Sequence, residues 1–234
     1  MPRWPYLGGI CTTTSGGCAV PELLPVASPG VPIFFGRVGD PLVVVLHDWY
    51  GRLPELEAFA ETVAREGLRV AVPDLYGGVA TLDDGDAEAL MTGVDVGTAL
   101  AEVDDLIAAA HAEGSDRVAV TGFSLGGWLA LLHAQSGAVD AVVAYYATLA
   151  PRDHGVLPEP VLVHYAETDE WGEGEDPEDF LSRLADHGTP VEHHVYFDTV
   201  HGFANLALDA KANRRAARLA EARTLAFLRE HLFD

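Results

Sequence analysis

The chain has 234 residues, with 36 Asp and Glu against 14 Lys and Arg, a formal net charge of −22 at pH 7. Its 49% hydrophobic content with 21% charged residues is globular, not disordered, and supplies enough apolar mass for a sizeable core. So strong a negative field repels nucleic acid phosphates and anionic lipid head groups, which leaves small molecules or cationic partners as ligands.

Residues 1–20 are rich in Pro, Gly and Thr and read as a flexible amino-terminal arm. They hold both cysteines, Cys11 and Cys18. Two free thiols are expected there, with a bridge closing a small loop as the alternative, and a disulfide scaffold is excluded for the body of the fold. The arm lacks a basic start followed by a long apolar run, and no stretch of about 18 apolar residues occurs anywhere. The expectation is a cytoplasmic protein without a membrane span, its body a single domain over residues 21–234.

Beyond the arm, Val31–Gly36 suits an edge strand, because Pro32 cannot donate to a central ladder. Leu42–Leu46 is a continuous apolar run, the pattern of a strand buried on both faces. Leu56, Phe59, Ala60 and Val63 fall at helical spacing up to a stop at Gly67, and Arg69–Val72 is a second buried strand. Val96, Leu100, Val103, Ile107 and Ala110 mark a helix closed by Gly114. Asp116–Thr121 is predicted as a third strand, with a helix through Trp128–Leu132 almost directly after it. Ala141–Tyr146 and Val161–Tyr165 are further strands. Asp176 as N-cap and Pro177 at the first position start another helix, and Val191–Phe197 is the last strand. A final helix is expected to carry Ala212, Ala216, Leu219, Ala220 and Phe227 toward the sheet. Strands alternating with helices in this way specify an α/β fold, a mostly parallel sheet covered on both faces.

Gly122-Phe-Ser-Leu-Gly126 is a G-x-S-x-G placed between a strand and a helix, the context of a nucleophile elbow. The turn is tight enough to force the serine into a sparsely populated conformation, and residues without a Cβ avoid the clash across it. A neutral hydroxyl needs a base within hydrogen-bond reach and a group to orient that base. In this motif's fold the chain order is Ser, acid, His, which discards His47 and His111 as the base. His133, His164 and His187 lie within elements, and His193 and His194 point to opposite faces of one strand. His201 follows the last strand and can meet Ser124 from the carboxyl edge of the sheet. By the same logic Asp169, just past the Val161–Tyr165 strand, is preferred as the acid over Glu167, Glu170 and Asp198. Oxyanion donors are expected from the backbone N–H of Leu125 and of Trp49. Neither a metal nor a cofactor is expected, since no ligand spacing supports one.

His47-Asp-Trp-Tyr-Gly51, Pro73-Asp-Leu-Tyr-Gly77, Gly122-Phe-Ser-Leu-Gly-Gly127, Asp169 and His201-Gly-Phe203 occur in the order of the dienelactone hydrolase family. From about Leu42 onward the chain resembles that family of α/β-hydrolases. The resemblance implies a triad of Ser124, Asp169 and His201, a small fold without a lid after the nucleophile, and a substrate pocket touching Asp48, Tyr50, Tyr76, Phe123 and Asn205. Two departures stand out. The best-known members carry cysteine where Ser124 stands and glutamate where Asp48 stands, so a regulatory role for that acid does not transfer, although Asp48 could hydrogen-bond Ser124 in a resting state. Dienelactone-cleaving members hold the substrate carboxylate with arginines where this chain has Gly78 and Asn205. Unless Arg52 or Arg152 reaches the pocket, a neutral ester or lactone is the expected substrate.

The expected function is thus a cofactor-free serine hydrolase working through an acyl-enzyme on a small-molecule ester or lactone. A ligand- or partner-binding protein on the same fold is the alternative, and perhydrolysis or thioester cleavage is a variant of the first. Lys211 is the only lysine, and arginine otherwise supplies the basic residues. Either a GC-rich coding sequence or adaptation to high salt would give that balance.

Overall fold

The computed structural model describes residues 22–172 and 175–233. The expected arm and both cysteines lie outside the described residues. The first half runs β1 (Leu24–Pro25), β2 (Ile33–Phe35), β3 (Leu42–Leu46), α1 (Pro54–Ala64), β4 (Arg69–Val72), β5 (Val79–Ala80), α2 (Asp84–Thr92) and α3 (Val96–Ala112). The second half runs β6 (Val118–Phe123), α4 (Leu125–Ala134), β7 (Ala141–Tyr145), β8 (Val161–Thr168), α5 (Pro177–Asp186), β9 (Val191–Val200) and α6 (Arg214–Phe233).

Seven strands form one sheet in the order β2-β4-β3-β6-β7-β8-β9, parallel throughout except for β2, which pairs antiparallel with β4 at the edge. Every residue of β3, β4, β6 and β7 is buried, because helices cover both faces. Side chains alternate between the two layers. Val44, Val120, Val142 and Val163 meet Val103, Leu129 and Phe180 of α3, α4 and α5, while Val43, Val45, Val143 and Leu162 meet Ala60 and Val63 of α1 and Ala220 and Leu228 of α6. No helix of the described residues is long and apolar enough to cross a membrane.

The elements follow the sequence pattern with several corrections: the short strands β1 and β5, which pair antiparallel with each other, are not predicted by it, and the edge strand β2 is shorter than Val31–Gly36. The third strand starts two residues later than expected, because Asp140 accepts from the Val118 N–H and pairs with Arg117, and it continues through Gly122 and Phe123 alongside Leu46 and Tyr145. Strands β8 and β9 outrun their expected ends, pairing as far as Thr168 with Val200 across a register shift after Ala166. Their tips are mostly exposed and carry Glu, Asp and Thr, so they read as loop. Helix α2 was not expected. It carries few apolar residues, but its N-cap Asp83 accepts from the Gly85 and Asp86 amides. Lastly, α6 begins at Arg214, after Ala212, and Leu219 points outward, 47% exposed.

Candidate active site

The carboxyl ends of β3, β6, β8 and β9 bring the candidate residues to one edge of the sheet. Ser124 sits between the last residue of β6 and the first of α4 with φ 51° and ψ −111°. Its amide donates to the Tyr145 carbonyl and its carbonyl accepts from the Trp128 amide, so hydrogen bonds on both sides hold the strained conformation. A Cβ on Gly122 would overlap the Gly126 carbonyl, and one on Gly126 the Leu46 and His47 carbonyls. The glycines of the motif therefore let α4 start directly against β3 and β6.

His201 follows β9 immediately, as Asp169 follows β8. The Ser124 Oγ to His201 Nε2 distance is 2.8 Å, and His201 Nδ1 lies 3.0 and 2.9 Å from the two carboxylate oxygens of Asp169. A carboxylate only accepts, so the proton of neutral His201 sits on Nδ1 and Nε2 is free to accept from the serine hydroxyl. The Asp169 side chain is 3% exposed and that of His201 29%, so the acid is enclosed while the imidazole borders solvent. The Tyr146 ring packs 4.9 Å from the imidazole. The three residues expected to act together are thus in contact, in the expected order.

Leu125 is the first residue of α4, where a backbone N–H has no intrahelical partner. The loop that carries Trp49 is shaped by Asp48, whose Oδ1 accepts from the Tyr50 amide at 2.9 Å, and by Gly51 at φ 95°. Tyr76 donates its hydroxyl to the Trp49 carbonyl at 2.9 Å. His47 supports the same loop, a role that sequence reasoning missed after discarding it as a base. Its Nε2 accepts from the Leu75 amide and its Nδ1 donates to the Asp48 carbonyl at 2.6 Å, and burial pushes its pKa down to about 4, so it stays neutral.

Asp48 does not bond Ser124. Its second oxygen accepts from Asn205 Nδ2 at 2.8 Å, and burial pushes its pKa up to about 6 despite the bonds from Asn205 and Tyr50. Asp48, Phe123 and Asn205 border a cavity of about 180 Å³, whereas Tyr50 and Tyr76 are not on its wall. Tyr50 is 2% exposed and turns under the loop, its hydroxyl donating to Asp84 and accepting from Lys211 Nζ. Nothing in a motif tells which way such a loop side chain turns. Two other histidines are engaged elsewhere. His133 bonds Asp104, and His164 is buried between Thr224 and Tyr196.

The two positions at which the family resemblance leads one to expect arginines are filled otherwise. Gly78 has φ 116°, and a Cβ there would stand 2.6 Å from the Pro29 side chain. Asn205 is committed to Asp48. Arg52 is buried and donates to the Val31, Val72 and Ser28 carbonyls, and Arg152 pairs with Asp153 and Glu175.

A sheet of this order with helices on both faces, and a serine on a positive-φ elbow after a central strand, define an α/β-hydrolase fold. The model of the dienelactone hydrolase family matches residues 35–232, and the chain belongs to that family. It is 28% identical over 207 residues to Protein usf of Aquifex pyrophilus, a match covering 83% of this chain and 90% of the relative. Over 219 residues it is 26% identical to a Bradyrhizobium sp protein named "Probable 2-oxo-3-(5-oxofuran-2-ylidene)propanoate lactonase", covering 86% of this chain and 87% of the other. Among solved structures, a dienelactone hydrolase-like promiscuous phosphotriesterase from metagenomic libraries superposes with a TM-score of 0.74 at 19% identity, covering 86% of this chain and 92% of that one.

Proposed function

We propose that the protein hydrolyses small neutral esters or lactones through an acyl-enzyme on Ser124. The observation that carries this reading is the continuous chain from Ser124 Oγ through His201 to Asp169 at 2.8 and 2.9 Å. His201 Nε2 takes the hydroxyl proton as Oγ bonds to the substrate carbonyl carbon, and the electron pair of the C=O bond moves onto oxygen. The N–H groups of Leu125 and Trp49 receive that oxyanion. Collapse expels the alkoxy group, which takes the proton from His201. Water then attacks the acyl-enzyme with His201 again as base, and Asp169 stays ionised, fixing the imidazole through Nδ1. Membership in the family and the lactonase name of the Bradyrhizobium relative support an ester or lactone bond as the target. Gly78 and the committed Asn205, in a chain of net charge −22, support a neutral substrate.

The test is a panel of p-nitrophenyl esters, acetate and butyrate against the anionic hemisuccinate, with Ser124→Ala as control. Removing the nucleophile should lower kcat/KM by about 10³-fold or more, and the neutral esters should be the better substrates. A fluorophosphonate should label the parent protein once, at Ser124. Activity that survives in Ser124→Ala sinks the mechanism, and a protein that neither turns over esters nor takes the label is a binding protein.

A further inference from the structure

We propose that the cavity between α1 and α6 is a second ligand site, for a small neutral apolar molecule about the size of a single aromatic ring. Its wall includes none of Ser124, Asp169 and His201, although it shares Asp48, Phe123 and Asn205 with the substrate pocket expected from the sequence; the cavity adjoins the candidate site without holding its triad, and the proposal stands whether or not Ser124 is a nucleophile.

The apolar wall is built from both helices and the sheet: Leu56 and Phe59 of α1, Ala217 of α6, Leu206 of the preceding loop, and Phe123 and Tyr145 as the floor. The floor is rigid. Phe123 stacks on Tyr145 with ring centroids 4.3 Å apart, Phe59 meets Phe123 edge-on at 5.2 Å, and the Tyr145 hydroxyl is engaged by Thr224. An apolar cavity of about 150 Å³ is large enough to accept benzene, and this one, open at one end, measures about 180 Å³.

The polar ends define which molecule fits. At the inner end Asp48 and Asn205 bond each other, Asp48 also accepts from the Tyr50 amide, and Asn205 Oδ1 accepts from the Ala207 amide. A polar head directed there would compete with bonds already made, which favours an occupant without one. Glu55, Glu221 and Arg218 also line the cavity, so carboxylates outnumber the guanidinium there. Burial raises the Glu221 carboxyl pKa against the pull of Arg218. An anionic ligand meets net repulsion there and a neutral one does not.

Toluene is the probe and benzoate its anionic counterpart, applied to the full chain carrying Ser124→Ala so that turnover plays no part. Toluene at about ten times its dissociation constant should raise the Tm by about 3 °C or more and shift the methyl resonances of Leu56, Leu206 and Ala217. Benzoate should bind at least about tenfold more weakly, as one unfavourable charge of about 1.4 kcal/mol implies. Ala217→Leu fills the cavity and should abolish both effects. Ala58→Trp, an exposed position at the mouth, repeats the block where Ala217→Leu does not fold. Absence of a toluene effect in the unblocked protein overturns the proposal. So does an effect that persists in a folded blocked variant, and so does benzoate binding as tightly as toluene.

Discussion

Asp48 is a carboxyl in the wrong medium. It is buried beside His201 with two hydrogen bonds, and its pKa stands at about 6 against an ordinary 3.8. Between those values the native state keeps a proton that the unfolded chain has released, so the group's contribution is full below about pH 4 and is lost as pH rises through 6. The ionised carboxylate costs on the order of 3 kcal/mol at pH 8. Asp48→Asn removes that cost, keeps an acceptor for the Tyr50 amide and gives up the bond from Asn205, worth about 1 kcal/mol. Thermal unfolding of parent and variant across pH should therefore show the variant gaining by about 4 °C or more between pH 4.5 and 8. A difference that stays flat would mean that the carboxylate is solvated or otherwise compensated. The same residue marks a limit of sequence reading. Ser124 and His201 are legible because a strained turn needs its glycines and a base must follow the last strand. Asp48 as a partner of Asn205 is not, since the two are brought together from opposite ends of the chain by loop conformation.

At the scale of elements, strand ends and loops decide the site. β8 and β9 run on past β7 as a pair, so Asp169 and His201 leave adjacent strand tips and meet without a long connection. Their place beyond those strands was legible, whereas the length of the tips was not, because Glu167, Thr168, Asp198 and Val200 are exposed and lack the buried run that marks β3. The loop that carries Trp49 is fastened from the other side by Lys211. Its Nζ donates to the Tyr50 hydroxyl at 2.5 Å and to Asp84 at 3.2 Å, and it lies over the Trp49 and Tyr50 rings. This joins the segment after His201 to the start of α2 and to the loop after β3. The pair with Asp84 is exposed and adds little, but the bond to the buried hydroxyl has no water to replace it. Lys211→Met keeps most of the stem and removes the donor, so its Tm should fall by about 2–4 °C, the equivalent of 1 kcal/mol in a chain of this length. An unchanged Tm at pH 7 would show that the loop is held by the Tyr76 and Asp48 bonds alone.

The whole molecule carries the charge that composition announced. Most ion pairs among the described residues join one base to one acid, as Arg65 to Glu61, Arg117 to Asp140 and Arg229 to Glu66, while Arg152 meets both Asp153 and Glu175; the net charge of −22 is the excess of acidic over basic residues that such pairing cannot cover. Several crowd together, as Asp83, Asp84 and Asp86 do around the start of α2 and Asp176, Glu178 and Asp179 around the start of α5. There the helix dipoles and capping amides offset their repulsion only in part. Self-repulsion of this kind destabilises the compact state relative to the unfolded chain, in which the charges are farther apart. Salt shortens its range from about 10 Å at 0.1 M to about 3 Å at 1 M, so the folded state gains more from salt than the unfolded one. Urea unfolding in 0.05 M and 1 M KCl should show the midpoint rising with salt at constant slope. A gain of about 1 kcal/mol corresponds to about 0.5 M urea for a slope near 2 kcal/mol/M. If the chain is adapted to high salt, the fold should also become marginal in 0.05 M KCl, whereas a protein that is acidic only through its coding composition should lose the increment and remain folded. A midpoint that does not move would show the excess carboxylates to be far enough apart, and wet enough, to leave the fold indifferent to them.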